Sequence, residues 1–263
     1  QRIEERINKA TYPLCIEGDK GIGKTLLSYY LAKKNKFAFM PIQCSEQVKE
    51  RQLFGSPQIN EGGSFYWAGR ITTAFKALDM YDKVLLFFDD VGGLAHEEQM
   101  SLLSLCDKRK TIEVNGEMMS VPKGKKLMVL MTTNPATYAG VNTIIEPLRS
   151  RLIGEIWEYP KVETLKKIIN WKDIPEDTVQ EPLLTLASQT HDLRMKNNVD
   201  YVLTTRDLVE FADVYRDCIE GGKTQKMSLD QSIRQTILFK YTDPTERESI
   251  RVRCQEGFGV DVK

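Results

Sequence analysis

Apolar residues in the first 160 positions alternate between short continuous runs and stretches with helical spacing. The continuous runs predict strands buried on both faces, because they are short, apolar and rich in β-branched or aromatic residues. These runs are residues 12–17, 37–43, 84–88, 127–132 and 155–158. Two stretches between them keep one apolar face at helical spacing: Ile71, Ala74, Phe75 and Leu78, and then Met100, Leu103 and Cys106 with Leu102 and Leu105 alongside. Strands that alternate with helices predict an α/β fold, with a parallel sheet covered by helices on both faces.

After residue 160 the strand pattern ends and helical patterns follow. Three helix starts are predicted: a capping box at Thr204 and Asp207, a second at Ser228 and Gln231, and a start with proline in the first turn at Asp243 and Pro244. The pair Gly221-Gly222 predicts a break between two of these helices. We therefore predict an α/β domain over residues 1–160 and a small helical domain over residues 161–263.

The charge and composition of the chain exclude several classes of protein. Its 263 residues include 37 basic and 37 acidic ones, so the formal net charge is zero and gives no overall reason to expect a nucleic-acid partner. The apolar runs are too short to span a bilayer, and the charged first six residues show no signal peptide. The five cysteines are scattered without a Cys-x-x-Cys pair, which favours reduced thiols. We expect a cytoplasmic protein without a membrane segment.

Residues 18–25 match the phosphate-loop pattern G-x-x-x-x-G-K-[ST], between a predicted strand and an apolar helix. Glycines allow backbone N–H groups to turn toward phosphate oxygens, and the helix N-terminus adds positive potential. Lys24 is predicted to neutralise the β- and γ-phosphates of ATP, and the Thr25 hydroxyl to bind Mg²⁺. The predicted nucleotide-binding residues are Gly18, Asp19, Lys20, Gly21, Ile22, Gly23, Lys24, Thr25 and Leu26.

Two carboxylates, Asp89 and Asp90, end the apolar run of residues 84–88. In a parallel sheet such a strand end lies at the carboxyl edge, where ligands of α/β proteins bind. We predict that Asp89 binds Mg²⁺ directly or through water, and that Asp90 orients or deprotonates the attacking water. The alternative is a solvated turn after a strand.

The phosphate loop, the strand that ends in two acids and the segment Met131-Thr-Thr-Asn-Pro135 occur in the order typical of AAA+ ATPases, which this chain resembles. Further segments resemble the MoxR-like branch, of the dynein-related type. Residues 53–56 and 62–69 resemble its helix-2 insert, residues 98–103 the helix after the acidic strand, and residues 111–121 the hairpin before sensor 1. Independently of any family, Asn115-Gly116 between alternating residues predicts a β-hairpin.

The resemblance implies roles for residues that match the family's motifs, in a three-layer phosphate-loop domain followed by a helical lid. Asn134 would be the sensor 1 residue, near the γ-phosphate and the lytic water. Arg151 would be the arginine finger that a neighbouring subunit supplies, with Arg149 as the alternative. Arg206 would be the sensor 2 residue, which reaches the phosphates from the lid domain. The second acid of the strand is usually Glu in this family, so Asp90 is one methylene shorter than expected.

The resemblance also implies a function: a Mg²⁺-dependent ATPase that forms a homo-oligomeric ring, expected to be a hexamer, and remodels protein complexes like a chaperone. The implied partners are a protein client and a protein with a von Willebrand factor A domain. A DNA motor is an alternative that the neutral charge and the single basic cluster at residues 123–126 do not favour. A slowly hydrolysing nucleotide switch or structural ring subunit is another, suggested by Asp90. The aromatic residues 65–67 would either grip a client or pack the insert onto the core.

Overall fold

The computed structural model describes residues 2–135, 143–196 and 198–262. By their contacts the residues divide into two compact units. The first runs to Asp19 and continues over Lys24–Glu158, and the second contains Lys20–Gly23 and the chain from Tyr159 onward. No helix among the described residues has the length and apolar character needed to cross a membrane.

The first unit is built on a parallel sheet, as the alternating apolar runs predict. Strands among the described residues are β1 (Leu14–Gly18), β2 (Ala38–Gln43), β3 (Gly55–Asn60), β4 (Gly63–Ala68), β5 (Lys83–Asp89), β6 (Thr111–Val114), β7 (Glu117–Ser120), β8 (Lys126–Thr133) and β9 (Ile153–Trp157). Five of them pair in parallel in the order β2-β5-β8-β1-β9. These five overlap the five predicted runs, so the predicted fold class is confirmed.

Alternate residues of the central strands enter two separate cores, one on each face of the sheet. In β5, Val84, Leu86 and Phe88 pack into one core, and Leu85 and Phe87 into the other. All five of these side chains are fully buried. A strand that is apolar at every position therefore requires cover on both faces, which is the physical origin of the three layers.

Helices cover both faces of this sheet. They are α1 (Arg2–Lys9), α2 (Lys24–Lys34), α3 (Glu50–Leu53), α4 (Arg70–Ala77), α5 (His96–Ser101), α6 (Leu103–Cys106) and α7 (Glu146–Arg149). The core with Leu85 and Phe87 contains residues of α1 and α2, and the opposite core contains residues of α4, α6 and α7.

One predicted helical face is wrong at Met100, although Cys106 is buried and Leu103 packs against the core as predicted. The chain breaks between α5 and α6 at Leu102, and Met100 is half exposed while Leu102 and Leu105 are fully buried. Periodicity holds only within a continuous helix, so a break resets which residues share a face. The predicted face of Met100, Leu103 and Cys106 assumed one unbroken helix.

Two hairpins accompany the sheet. The pair β6–β7 confirms the hairpin predicted at Asn115-Gly116, whose φ angles of +53° and +78° match a turn that favours this dipeptide. The pair β3–β4 forms in the segment that resembles the insert. Its strands were not predicted, because residues 56–63 are mostly polar or glycine and lack a clear apolar alternation.

The second unit is helical beyond residue 160. Its helices are α8 (Val162–Ile168), α9 (Glu181–Met195), α10 (Thr205–Glu220), α11 (Gln225–Ser232) and α12 (Pro244–Phe258). It also has π-helical turns at Glu176–Gln180 and Ile233–Ile237 and a 3₁₀ turn at Leu238–Lys240. A further 3₁₀ turn, Val91–Gly93, belongs to the first unit. The buried residues of the second unit form a core separate from the two of the sheet.

Two of the three predicted helix starts are confirmed. Thr204 and Asp207 form the capping box of α10, with Asp207 Oδ2 accepting from the Thr204 N–H at 2.7 Å. Asp243 caps α12. The start at Ser228 is wrong, because Thr224 caps α11 one turn earlier and Ser228 lies inside the helix, where its hydroxyl donates to the Thr224 carbonyl at 3.0 Å.

Candidate active site

The carboxyl ends of three neighbouring strands meet at one edge of the sheet. Strand β8 lies between β5 and β1, with Met131 paired to Phe88 and Thr132 paired to Ile16. Asp89 ends β5 and Asp90 follows it, Asn134 follows β8, and the phosphate loop begins at Gly18, the last residue of β1. The strand order thus collects the polar residues of three separate motifs at one place.

The loop after β1 has the backbone that its glycines permit. Gly21 and Gly23 have φ angles of +74° and +91°, in a region that side chains disfavour. Lys24, the first residue of α2, is buried, and its ammonium donates to the carbonyls of Gly18 at 2.6 Å and Asp19 at 2.8 Å. A third bond goes to Asn134 Oδ1 at 3.1 Å. The charge is therefore held inside the loop, where phosphate oxygens would be neutralised.

Burial lowers the pKa of Lys24, while the carboxylates of Asp90, Asp19 and Asp89 act in the opposite direction. Desolvation is the larger effect on the pKa. The ammonium thus lies in an acidic surrounding that partly compensates the cost of its burial.

Thr25 and Asp89 form an oxygen-only pair. The Thr25 hydroxyl lies 3.1 Å from Oδ1 and 3.0 Å from Oδ2 of Asp89. Hydroxyl and carboxylate oxygens suit Mg²⁺, which commonly takes one or two protein ligands and completes its shell with phosphate and water. The described residues contain no group of three or more His, Cys, Asp or Glu side chains able to hold a metal ion.

Asn134 links the basic and the acidic parts of the site. Its side chain is 9% exposed, and its amide donates from Nδ2 to Asp90 Oδ2 at 2.9 Å while Oδ1 accepts from Lys24. Asp90 itself has a φ of +59°, a left-handed conformation that costs a residue other than glycine about 1–2 kcal/mol. Such a conformation persists only where neighbouring groups hold it.

Thr132 is a member of the site that the sequence analysis did not identify. Its hydroxyl donates to Asp89 Oδ1 at 2.8 Å and accepts from the Asp90 N–H at 3.0 Å, and its side chain is fully buried. The available signal was a threonine at the end of a buried apolar strand, because a buried hydroxyl requires a hydrogen-bond partner.

Two of the three predicted arginines, Arg149 and Arg151, bond residues outside this network. Arg149 contacts Glu17 at 3.4 Å. The Arg151 guanidinium donates to Asp107 Oδ1 at 2.8 Å and to the Pro147 carbonyl at 2.7 Å. Arg206 is exposed in the first turn of α10, in the second unit. The structure therefore brings together Lys24, Thr25, Asp89, Asp90 and Asn134, and the roles assigned to the arginines stay predictions.

Comparison with known proteins gives one family and several distant relatives. The model of the AAA domain, dynein-related subfamily, matches residues 13–152. The chain is 20% identical over 233 residues to the denitrification regulatory protein NirQ of Pseudomonas aeruginosa, covering 88% of this chain and 86% of NirQ. It is 19% identical over 197 residues to protein CbbQ of Hydrogenophilus thermoluteolus, covering 75% of this chain and 72% of CbbQ. A crystal structure of a proposed ATPase from Cytophaga hutchinsonii aligns with a TM-score of 0.47 at 15% identity, covering 95% of this chain and 78% of that one.

Proposed function

Because the chain belongs to the dynein-related subfamily of AAA domains, as an AAA+ ATPase of the MoxR-like branch, we propose that it is a Mg²⁺-dependent ring motor that remodels protein complexes. The observation that carries the proposal is the side chain of Asn134. One amide joins the ammonium of the phosphate loop to the carboxylate of Asp90, at 3.1 Å and 2.9 Å. One side chain thus joins the groups proposed to bind phosphate and to position water, and the Thr132 hydroxyl joins Asp89, proposed to bind the metal, to Asp90.

Each residue of this network has a role in the proposal. Lys24 and the backbone of residues 18–25 bind the phosphates of ATP. Thr25 and Asp89 hold Mg²⁺, which supplies charge neutralisation at the β- and γ-phosphate oxygens. Asp90 orients the attacking water and accepts its proton, and the Asn134 amide fixes the Asp90 carboxylate. Positioning and charge stabilisation are the main requirements for phosphoryl transfer, and this site supplies both.

The proposal further includes a homo-oligomeric ring of six subunits, with residues 1–160 as the nucleotide-binding domain and residues 161–263 as the lid that carries Arg206. The arginine finger is Arg151, supplied by the neighbouring subunit. Its contacts with Asp107 and Pro147 would have to be exchanged when it reaches a neighbour's phosphate. The ion pair with Asp107 is part-exposed on both sides, so breaking it costs little.

The test is steady-state ATP hydrolysis with Mg²⁺ across protein concentration. We expect turnover per subunit to rise with concentration, and to fall at least about a hundredfold in Arg151→Ala, since an arginine finger contributes roughly 10³–10⁵ to the rate. Asp107→Ala is the matched control, because it removes the same ion pair and keeps the guanidinium. We expect it to stay within about threefold of the wild type.

A mixing experiment separates a shared site from a structural defect. Arg151→Ala keeps the phosphate-binding network, and Asp90→Asn keeps the finger, so each alone should be inactive while a mixture regains turnover. An equal loss of turnover in Asp107→Ala, or no recovery of turnover on mixing, would reject Arg151 as the finger. The same two measurements would then be made on Arg149→Ala. ATP binding without hydrolysis at any concentration would reject the motor.

The exposed face of the hairpin β3–β4 supports a protein client. Phe65 and Trp67 lie on the same face of β4 and are each 47% exposed. Tyr66, between them, lies on the opposite face, and its hydroxyl donates to the Phe54 carbonyl at 3.2 Å. Tyr66 therefore anchors the insert, and its neighbours remain available for contact. We expect an unfolded protein such as casein to stimulate hydrolysis, and Phe65→Ser with Trp67→Ser to abolish the stimulation at unchanged basal turnover. A partner with a von Willebrand factor A domain is part of the proposal on family grounds alone.

Two observations bear on the alternatives. In the basic cluster at residues 123–126, Lys125 pairs with Asp82 at 3.2 Å and Lys126 donates to the Asn8 carbonyl at 2.7 Å, so two of its three lysines have partners within the unit. This favours a protein client over nucleic acid.

The substitution Asp90→Glu distinguishes the motor from the slow nucleotide switch. Since Asp90 already contacts Asn134, we expect the longer acid to raise turnover less than about threefold. A tenfold rise would favour the switch.

A further inference from the structure

We propose that Thr132 is a positioning residue whose hydroxyl sets the geometry of both acidic residues, Asp89 and Asp90, and thereby the response of the protein to Mg²⁺. The inference deepens the proposed function and rests on it. Thr132 lies in the segment Met131-Thr-Thr-Asn-Pro135, but it was given no role in binding or catalysis from the sequence. Its contacts alone distinguish it from the other threonine of the strand, Thr133.

The Thr132 hydroxyl makes two hydrogen bonds in the candidate site, one as a donor and one as an acceptor. As a donor its hydroxyl bonds Asp89 Oδ1 at 2.8 Å, and as an acceptor it bonds the backbone N–H of Asp90 at 3.0 Å. A hydroxyl has a single proton, so the bond to Asp89 fixes the direction in which its lone pairs point toward Asp90. Thr133, by contrast, contacts the backbone carbonyl of Asn134 at 3.3 Å.

The position of this hydroxyl is rigid. Thr132 is fully buried in β8, a strand that is paired on both sides, with β5 and with β1. A β-branched side chain in such a strand has a restricted χ1, so the oxygen has little freedom to follow a moving partner. The positions of Asp89 and Asp90 therefore depend on the position of the Thr132 hydroxyl.

Each bond has a distinct consequence for the acidic pair. For Asp89, the bond to Oδ1 fixes the orientation of the carboxylate, whose Oδ1 and Oδ2 lie 3.1 Å and 3.0 Å from the Thr25 hydroxyl, the pair proposed to hold Mg²⁺. For Asp90, the bond to its N–H holds the backbone at a φ of +59°. That backbone directs the Asp90 carboxylate to the Asn134 amide at 2.9 Å. One hydroxyl therefore couples metal binding to water positioning.

The experiment measures the Mg²⁺ concentration that gives half-maximal binding of a fluorescent, non-hydrolysable ATP analogue, alongside kcat. Thr132→Val keeps shape and removes both bonds. We expect its half-saturating Mg²⁺ concentration to rise about tenfold or more and kcat to fall about 10–100-fold, the usual effect of losing a hydrogen-bond partner of a metal ligand. Affinity for the analogue in EDTA should change less than about twofold, since Lys24 and the phosphate loop are intact. Thr132→Ser, which keeps the hydroxyl, should recover most of the Mg²⁺ response.

The control is Thr190→Val in the second unit. Thr190 is also fully buried, and its hydroxyl likewise donates to one oxygen, the Ala187 carbonyl at 2.8 Å, and accepts from one backbone N–H, that of Leu203 at 3.2 Å. The substitution Thr190→Val therefore removes one donated and one accepted hydrogen bond of a buried threonine, but neither bond belongs to the candidate site. We expect a similar loss of thermal stability and a Mg²⁺ response like that of the wild type.

The outcomes are decisive in both directions. A normal Mg²⁺ response in Thr132→Val, or a serine variant as impaired as the valine variant, overturns the inference. If Thr132→Val does not fold, Thr132→Ala replaces it under the same criteria, and Thr132→Ser must still match the wild type. A wild-type protein that binds the analogue with Mg²⁺ but never hydrolyses ATP refutes the proposed function, and the binding titration still decides the role of Thr132.

Discussion

Replacing Asn134 with alanine removes the amide that joins the two halves of the candidate site. The side chain uses both polar ends: Oδ1 accepts from the Lys24 ammonium at 3.1 Å and Nδ2 donates to the Asp90 carboxylate at 2.9 Å. Both partners are ionisable and the residue is 9% exposed, so water would not easily restore the same geometry.

The magnitude follows from the two bonds. A hydrogen bond to a charged group contributes about 1.5–3 kcal/mol. If only the Asp90 bond acts in the transition state, a loss of about 2 kcal/mol lowers kcat about 30-fold. If both bonds act, the loss approaches a thousandfold. Affinity for ATP should fall less than about fivefold, because Lys24 keeps its phosphate-facing position through the carbonyls of Gly18 and Asp19.

The assay is steady-state hydrolysis at saturating ATP, with binding of a fluorescent nucleotide measured separately. Asn35→Ala is a matched control. Asn35 also uses both ends of its amide, accepting from Asn8 at 2.6 Å and donating to the Leu31 carbonyl at 2.9 Å, but it follows α2 and is not a member of the site. A kcat for Asn134→Ala within about threefold of the wild type, in a protein of normal stability, would refute the reasoning. So would an equal loss in Asn35→Ala.

Two further predictions concern lysines. Lys24→Met keeps chain length but removes the ammonium, so affinity for ATP should fall at least about a hundredfold in fluorescent-nucleotide titrations. Lys34→Met, on the same helix but paired with Glu4 at 2.9 Å, should change that affinity less than about twofold, and equal effects would contradict the prediction. Lys110 is buried, its ammonium donating to the carbonyls of Ala10 and of Leu127 at 2.6 Å, and burial lowers its pKa from 10.5 to about 8. The unfolded chain keeps this proton to higher pH, so Lys110 should add up to about 3 kcal/mol to the free energy of unfolding between pH 8 and 10.5. Buried cysteines such as Cys15, whose pKa burial raises to about 12, act in the opposite direction over the same range. Urea titrations should therefore show the gain as a growing difference between the wild type and Lys110→Met, and a difference that stays constant with pH would contradict the lowered pKa.

Those features of this protein that depend only on neighbouring residues could be predicted from its amino-acid sequence. Continuous apolar runs such as residues 84–88 can be buried only as strands covered on both faces, which predicted the layered fold. The glycine pattern of residues 18–25 and the turn at Asn115-Gly116 are local backbone requirements, and both turns have the positive φ angles that glycine permits. The caps of α10 and α12 were equally visible, since a capping residue bonds N–H groups two or three positions away.

Which distant residues share the site depends on the tertiary structure and could not be predicted from local patterns. Lys24 and Asn134 are 110 positions apart and Asp89 and Thr132 are 43 apart, so their contacts depend on the strand order that places β8 between β5 and β1. Local sequence patterns do not specify the order of the strands in the sheet. Met100 was placed on the wrong face because the apolar spacing does not reveal the break between α5 and α6. Thr132 was missed because a buried hydroxyl has no visible role until its partners are known.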